Sequence, residues 1–153
     1  MSVELYDEYM KLNLPMDALY RFIKKVTRDE RYESNVRVVY IDSDRMRELN
    51  YLFLGKDEDT DVLSFPVSGE TFIADNVPTE EEDFDEVYIS VDKVLENAQE
   101  YKTDFTYELF LVTLHGILHL VGFDDQTEEE RKCMREREDF YMERYKDLWN
   151  ING

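Results

Sequence analysis

Fifteen consecutive residues, Leu109 to Phe123, are apolar at nearly every position and hold both of the chain's histidines, His115 and His119. A helix that is apolar all round must be covered on most sides, so the rest of the chain has to be built around it. The run is shorter than the roughly 20 residues a membrane-crossing helix needs. It therefore predicts a buried central helix from Tyr107 to about Leu120. Helical residues four apart lie on one face, one turn apart, so the two imidazoles can share a metal ion. Gly122 can end or bend the helix and turn the chain back. Asp124 and Asp125 follow, and either can supply a third ligand; spacing alone does not choose between them. The competing reading is a pair of core histidines, with Asp124 orienting one of them or capping the turn.

The pattern His-x3-His-x2-Gly-x2-Asp is that of a metzincin-like metal helix with one change. Zinc proteases of that kind carry a glutamate base directly after the first histidine. Here that position is Gly116, which turns the chemistry away from peptide cleavage. Metal binding is unaffected, because a bound ion can still acidify a water or polarise an oxygen.

Around this helix the sequence alternates short strands and amphipathic helices. Residues 1–14 show no clear period and are compatible with a first strand or an irregular lead-in. From Pro15 to about Arg31, the stripe Met16, Leu19, Tyr20, Ile23 and Val26 predicts a helix whose outer face carries Arg21, Lys24, Lys25 and Arg28. Val36–Ile41 is β-branched and aromatic, and reads as a strand. Ser43 is expected to cap a helix to about Leu52, followed by a polar loop around Gly55. Thr60–Pro66 predicts a short strand ended by proline, with a partner strand near Thr71–Ala74. Asn76–Asp85 reads as an acidic surface loop. Val87–Ser90 is a further strand, and Ser90 can cap a helix from Val91 to about Tyr101. Thr127 and Glu130 fit a capping box opening a last helix that reaches about Trp149. Helices and strands mix without strict alternation. The expectation is a single α+β domain over residues 1–153, with a small mixed sheet and surrounding helices.

The net charge of −19 argues against indiscriminate nucleic-acid binding, but the acid is unevenly spread. Residues 57–130 carry 22 acidic and two basic side chains, whereas residues 11–56 carry seven acidic and 10 basic ones. A basic face on the first helix thus remains available for phosphate. The single Cys133 rules out an internal disulfide and suits a reducing compartment. The acidic N-terminus has no apolar stretch, so no secretory signal is expected and the chain reads as cytoplasmic.

Two segments carry a more specific signal. His115-Gly-Ile-Leu-His119-Leu-Val-Gly122-Phe-Asp124 resembles the signature of the YbeY family of bacterial rRNA maturation factors. Thr60-Asp61-Val62-Leu63-Ser64-Phe65-Pro66 resembles that family's second signature, and Asn50, Glu108 and Ile89-Ser90 fall where the family has the same residues. The resemblance runs over roughly residues 36–145. It implies an α+β fold with one metal ion, zinc by preference, with Ni2+ or Mn2+ as alternatives. It also implies single-strand-specific endoribonuclease activity, with the small ribosomal subunit and its rRNA as partners, in 3′-end maturation and ribosome quality control. Three departures stand out. Asp125 occupies the place of the family's third histidine ligand, and is expected to ligate in its stead. Leu54 occupies the place of an arginine that would hold phosphate, leaving Lys56 to substitute. Asp85-Glu86 replaces Gly-Asp. With Gly116 in place of glutamate, the general base is sought among Asp61, Glu86 and Asp124, while Arg21, Lys24, Lys25 and Lys56 are the candidates for holding RNA. Two other readings stand beside this one: an assembly factor that binds RNA around a structural metal, and a metal-dependent hydrolase of another substrate.

Overall fold

The computed structural model describes residues 1–67 and 83–150. Its centre is a four-stranded sheet in the order β1-β2-β4-β3, formed by β1 (Val3–Asp7), β2 (Asn35–Ile41), β3 (Val62–Phe65) and β4 (Phe84–Ser90). β1, β2 and β4 run parallel, and β3 pairs antiparallel with β4, Val62 opposite Ile89 and Phe65 opposite Glu86. β2 is an inner strand, and Val36, Val38, Val39, Tyr40 and Ile41 are all buried. Arg37, between Val36 and Val38, keeps polar alternation at the start of the strand, whereas Val39 to Ile41 have both faces covered.

One face of the sheet is covered by α1 (Met16–Asp29) and α4 (Phe105–Val121). α1 packs on β1 and on α4, while α4 packs on β3 and β4. Phe22 and Phe110 meet edge-on at 5.2 Å in the core between the two helices. α2 (Ser43–Leu54) covers part of the opposite face through Met46 and Leu49, which pack with Val39 and Ile41. α3 (Val91–Tyr101) lies against α4. α5 (Glu128–Arg144) and the short α6 (Lys146–Trp149) close the outer side of α4. No described helix is long and apolar enough to cross a membrane.

The α+β architecture and the central helix match expectation, and several details depart from it. The lead-in is a strand, β1. In α1, Phe22 rather than Tyr20 joins Leu19, Ile23 and Val26 inside; Tyr20 is exposed. The cap of α2 is Asp42, whose side chain accepts the Arg45 N–H at 2.8 Å, and Ser43 is the first helical residue. α2 continues to Leu54, and Gly55 ends it at φ 70°, a left-handed conformation that glycine adopts without penalty. Residues 84 and 85, expected in a surface loop, begin β4. Asp85 is buried and accepts hydrogen bonds from the Tyr32 hydroxyl and the Val67 N–H. The last helix breaks at Tyr145, whose hydroxyl bonds to Asp29 of α1. Ser90 and the Thr127–Glu130 box cap α3 and α5 as anticipated. The strand expected near Thr71–Ala74 lies outside the described residues.

Candidate metal centre

The site begins with how closely α4 approaches the sheet. Gly116 faces β3 and β4 so tightly that a Cβ there would lie 2.6 Å from Val87 Cγ1 and 2.9 Å from Val62 Cγ2. The Ser64 hydroxyl donates to the Gly116 carbonyl at 3.0 Å. The position after the first histidine therefore points into the sheet, and no glutamate base fits there. One residue to either side along the helix the direction changes by about 100°. His115 consequently stands clear of the sheet, half-buried, with His119 one turn further on.

Gly122, at φ 122°, ends α4, and its N–H bonds to the Leu118 and His119 carbonyls. The chain then doubles back and brings Asp125 to the imidazoles. Asp125 Oδ2 lies 3.5 Å from Nε2 of each histidine, and the two Nε2 atoms are 3.0 Å apart. All three donors fall within 4.8 Å of one another, the one such cluster among the described residues. A tetrahedral ion with bonds of 2.0–2.1 Å needs donor separations of about 3.3 Å, so the triangle has the size such an ion requires. Asp124 is exposed and points elsewhere, onto an outer hollow with Phe123, Glu130 and Cys133. Geometry thus separates the two aspartates that spacing left equivalent.

Glu138 of α5, absent from the sequence-based candidates, completes the arrangement. His115 Nδ1 lies 2.7 Å from Glu138 Oε2. A proton on Nδ1 donated to this carboxylate leaves the Nε2 lone pair aimed at the shared point, the usual second contact of a metal-ligating histidine. Burial pulls the His115 pKa down, but the hydrogen bond and charge of Glu138, with Asp61 and Asp125, outweigh it and hold the imidazole above its ordinary value. Glu138 had a visible signal: it is a carboxylate on the stripe of α5 that otherwise buries Met134, Tyr141 and Met142.

Asp61, just before β3, is half-buried within the electrostatic reach of His115. Burial raises its carboxyl pKa, and the imidazole and backbone N–H groups only partly offset this. Asn97 of α3 donates to it at 3.4 Å. Glu86 is placed differently. Strand residues alternate in direction, and with Val87 facing α4, Glu86 lies on the opposite face, bonded to Tyr88 at 3.0 Å and 3.7 Å from Arg37. Lys56 is exposed just past Gly55 at the end of α2. Leu54 is exposed with Tyr51, Leu52 and Phe53. Arg21, Lys24 and Lys25 lie on the outer side of α1, beside the far edge of the sheet from β3.

Residues 5–146 match the family model described as Endoribonuclease YbeY. The Endoribonuclease YbeY of Thermoanaerobacter sp. (strain X514) is 39% identical over 146 residues, covering 90% of this chain and 91% of that protein. That of Chlorobium phaeovibrioides is 35% identical over 143 residues, covering 93% and 89%. A solution structure of a Thermotoga maritima protein superposes with a TM-score of 0.70 at 30% identity, covering 98% of this chain and 93% of the other.

Proposed function

The chain belongs to the endoribonuclease YbeY family, and from that premise we propose that it is a metal-dependent endoribonuclease. Its substrate in this reading is single-stranded RNA, specifically the 3′ end of small-subunit rRNA, processed on the small ribosomal subunit in the cytoplasm during maturation and quality control. The supporting observation is the triangle of His115, His119 and Asp125 around one point. Two imidazoles and a carboxylate are the donor set of a zinc site with a free position, and Mn2+ or Ni2+ suit it next best.

A divalent cation held there supplies Lewis acidity, stabilising charge on a phosphoryl oxygen and lowering the pKa of a water. The chain's own groups provide the rest. Glu138 fixes the tautomer and tilt of His115. Asp61, half-buried with a raised pKa, is the carboxylate best placed to take a proton near the imidazoles. Asp124 faces outward and Glu86 lies across the sheet, so neither shares this position. Gly116 leaves no room for the base that a peptidase uses.

One observation favours a second reading, an assembly factor with a structural metal. Leu54, exposed, offers no positive charge where the family places an arginine. An RNA-cleavage assay with defined metals separates the two. Cleavage by the wild type should disappear on chelation and fall at least about 100-fold in His119→Ala and Asp125→Ala, the scale of losing a metal ligand or its orientation. Cleavage that survives chelation and both substitutions overturns the metal-dependent reading.

A further inference from the structure

The outer face of α1 carries a row of cations away from the sheet. Tyr20, Arg21, Lys24, Lys25 and Arg28 follow one another at spacings of one, three, one and three residues along two turns, so they share one side of the helix. With Met1 they line a hollow of about 520 Å3 whose wall contains four cations and no carboxylate. Arg21 is paired with Asp17 at 2.6 Å and Arg28 loosely with Asp29 at 3.7 Å. Lys24 and Lys25 have no ion pair among the described residues, and their ammonium groups lie 5.9 and 5.6 Å from the ring centres of Tyr20 and Tyr145. Both side chains are half-buried, and neither ammonium is committed to a carboxylate among the described residues, which leaves it available to an anion.

We propose that this hollow is a phosphate-backbone site for single-stranded RNA, an exosite that holds the substrate at a distance from the metal centre. The inference rests on the endoribonuclease reading above for the identity of the polyanion. Three observations carry it. The chain bears a charge of −19, with 22 acidic and two basic side chains over residues 57–130. Around the histidines themselves the neighbouring charged side chains are the carboxylates of Glu138, Asp61 and Asp125, so RNA gains little attraction from them and needs it elsewhere. Next, a concave row of cations with an exposed tyrosine combines backbone neutralisation with a surface on which a base can stack. Finally, α1 rests on β1, whereas Gly116 of the histidine helix rests on β4 and β3. In the sheet order these lie two and three strand spacings from β1, or about 10–14 Å. A strand long enough to engage both places gains both sets of contacts, and a shorter one gains only those of the place where it sits.

The test is the salt dependence of binding, measured by fluorescence anisotropy with a labelled single-stranded RNA of about 20 nucleotides between about 50 and 200 mM salt. Losing two phosphate contacts in Lys24→Ala/Lys25→Ala makes the slope of log affinity against log salt shallower by about 1.4, so a fourfold rise in salt costs the variant about sevenfold less affinity than wild type. Lys24→Arg/Lys25→Arg keeps the wild-type slope. Tyr20→Ala weakens binding about tenfold with the slope unchanged. A wild-type slope in the double alanine variant overturns the exosite, as does a wild type that does not bind the long RNA. The cleavage reading stands or falls separately: the expected slope change in a wild type that cuts no RNA supports the exosite and refutes the nuclease, while cutting with an unaltered slope does the reverse.

Discussion

Replacing Gly116 with alanine tests how tightly the histidine helix is seated on the sheet. Carbon atoms in ordinary contact are about 3.5 Å or more apart. A Cβ at this position would stand 2.6 Å from Val87 Cγ1 and 2.9 Å from Val62 Cγ2, short by about 0.9 and 0.6 Å on that scale. Both neighbours are β-branched and stiff at χ1, and Val87 is fully buried. Neither can swing aside, so α4 must lift from β3 and β4. Overpacking costs about 1–3 kcal/mol, and two contacts this short against stiff neighbours place it in the upper half of that range, about 2–3 kcal/mol; alanine's helix preference over glycine returns about 1 kcal/mol. The net loss is about 1–2 kcal/mol, or a fall in melting temperature of about 3–6 °C for a chain of this size. Thermal melts and urea titrations of the metal-free protein measure it. A control strengthens the test: a Val87→Ala background removes the 2.6 Å contact and leaves that with Val62, so the cost of Gly116→Ala should shrink by about 1 kcal/mol. A Gly116→Ala protein as stable as its parent would refute the argument, because it would mean that helix propensity outweighs the contact.

Two other perturbations bear on the site. Glu138→Ala should weaken metal binding by about 10–100-fold, read by competition with a chromophoric chelator, and Glu138→Gln, which keeps a hydrogen-bond acceptor, should lose less; unchanged affinity in the alanine variant would remove Glu138 from the site. Asp61 has a folded-state pKa raised by burial, so its stabilising contribution belongs to the protonated form at low pH and is lost as pH rises through the raised value. Asp61→Asn should therefore unfold at a higher urea concentration than wild type at pH 7, with the gap closing as pH falls below the carboxyl range. A gap that is absent at pH 7, or one that widens on acidification, would contradict the buried-charge account.

Much of this architecture is written locally. The caps at Ser90 and Thr127 are formed by side chains reaching N–H groups three residues on, and α3 and α5 begin where those residues stand. The two histidines lie on one face because four residues make about one turn. The choice between Asp124 and Asp125 is not visible in spacing: it depends on the φ of 122° at Gly122, which sets the direction of the returning chain. Tyr20 and Phe22 both suit a helical stripe, and the packing of Phe22 against Phe110 and Tyr145 is a tertiary contact that the stripe does not show. Glu86 was more legible than its treatment as a candidate base allowed, since alternation from the buried Val87 puts it on the other face. Glu138 and the break at Tyr145 both depend on how α5 folds back against α4 and α1. The place of Glu138 on the buried stripe of α5 is periodic, but its contact with His115, 23 residues away, leaves no period of its own.

The inner stripe of α5 has a consequence for how this protein tolerates change. Met134, Tyr141 and Met142 bury that helix, Tyr141 reaches Glu30, and Glu138 reaches His115 from the same side. With so few buried anchors on 17 residues, docking of the helix and aiming of the imidazole are one event. A volume change at Met134 or Met142, remote from any ligand atom, would rotate or slide the helix and carry Glu138 with it. Core positions on α5 should therefore behave under mutation as if they belonged to the metal centre. Drift there would be constrained by chemistry as well as by stability.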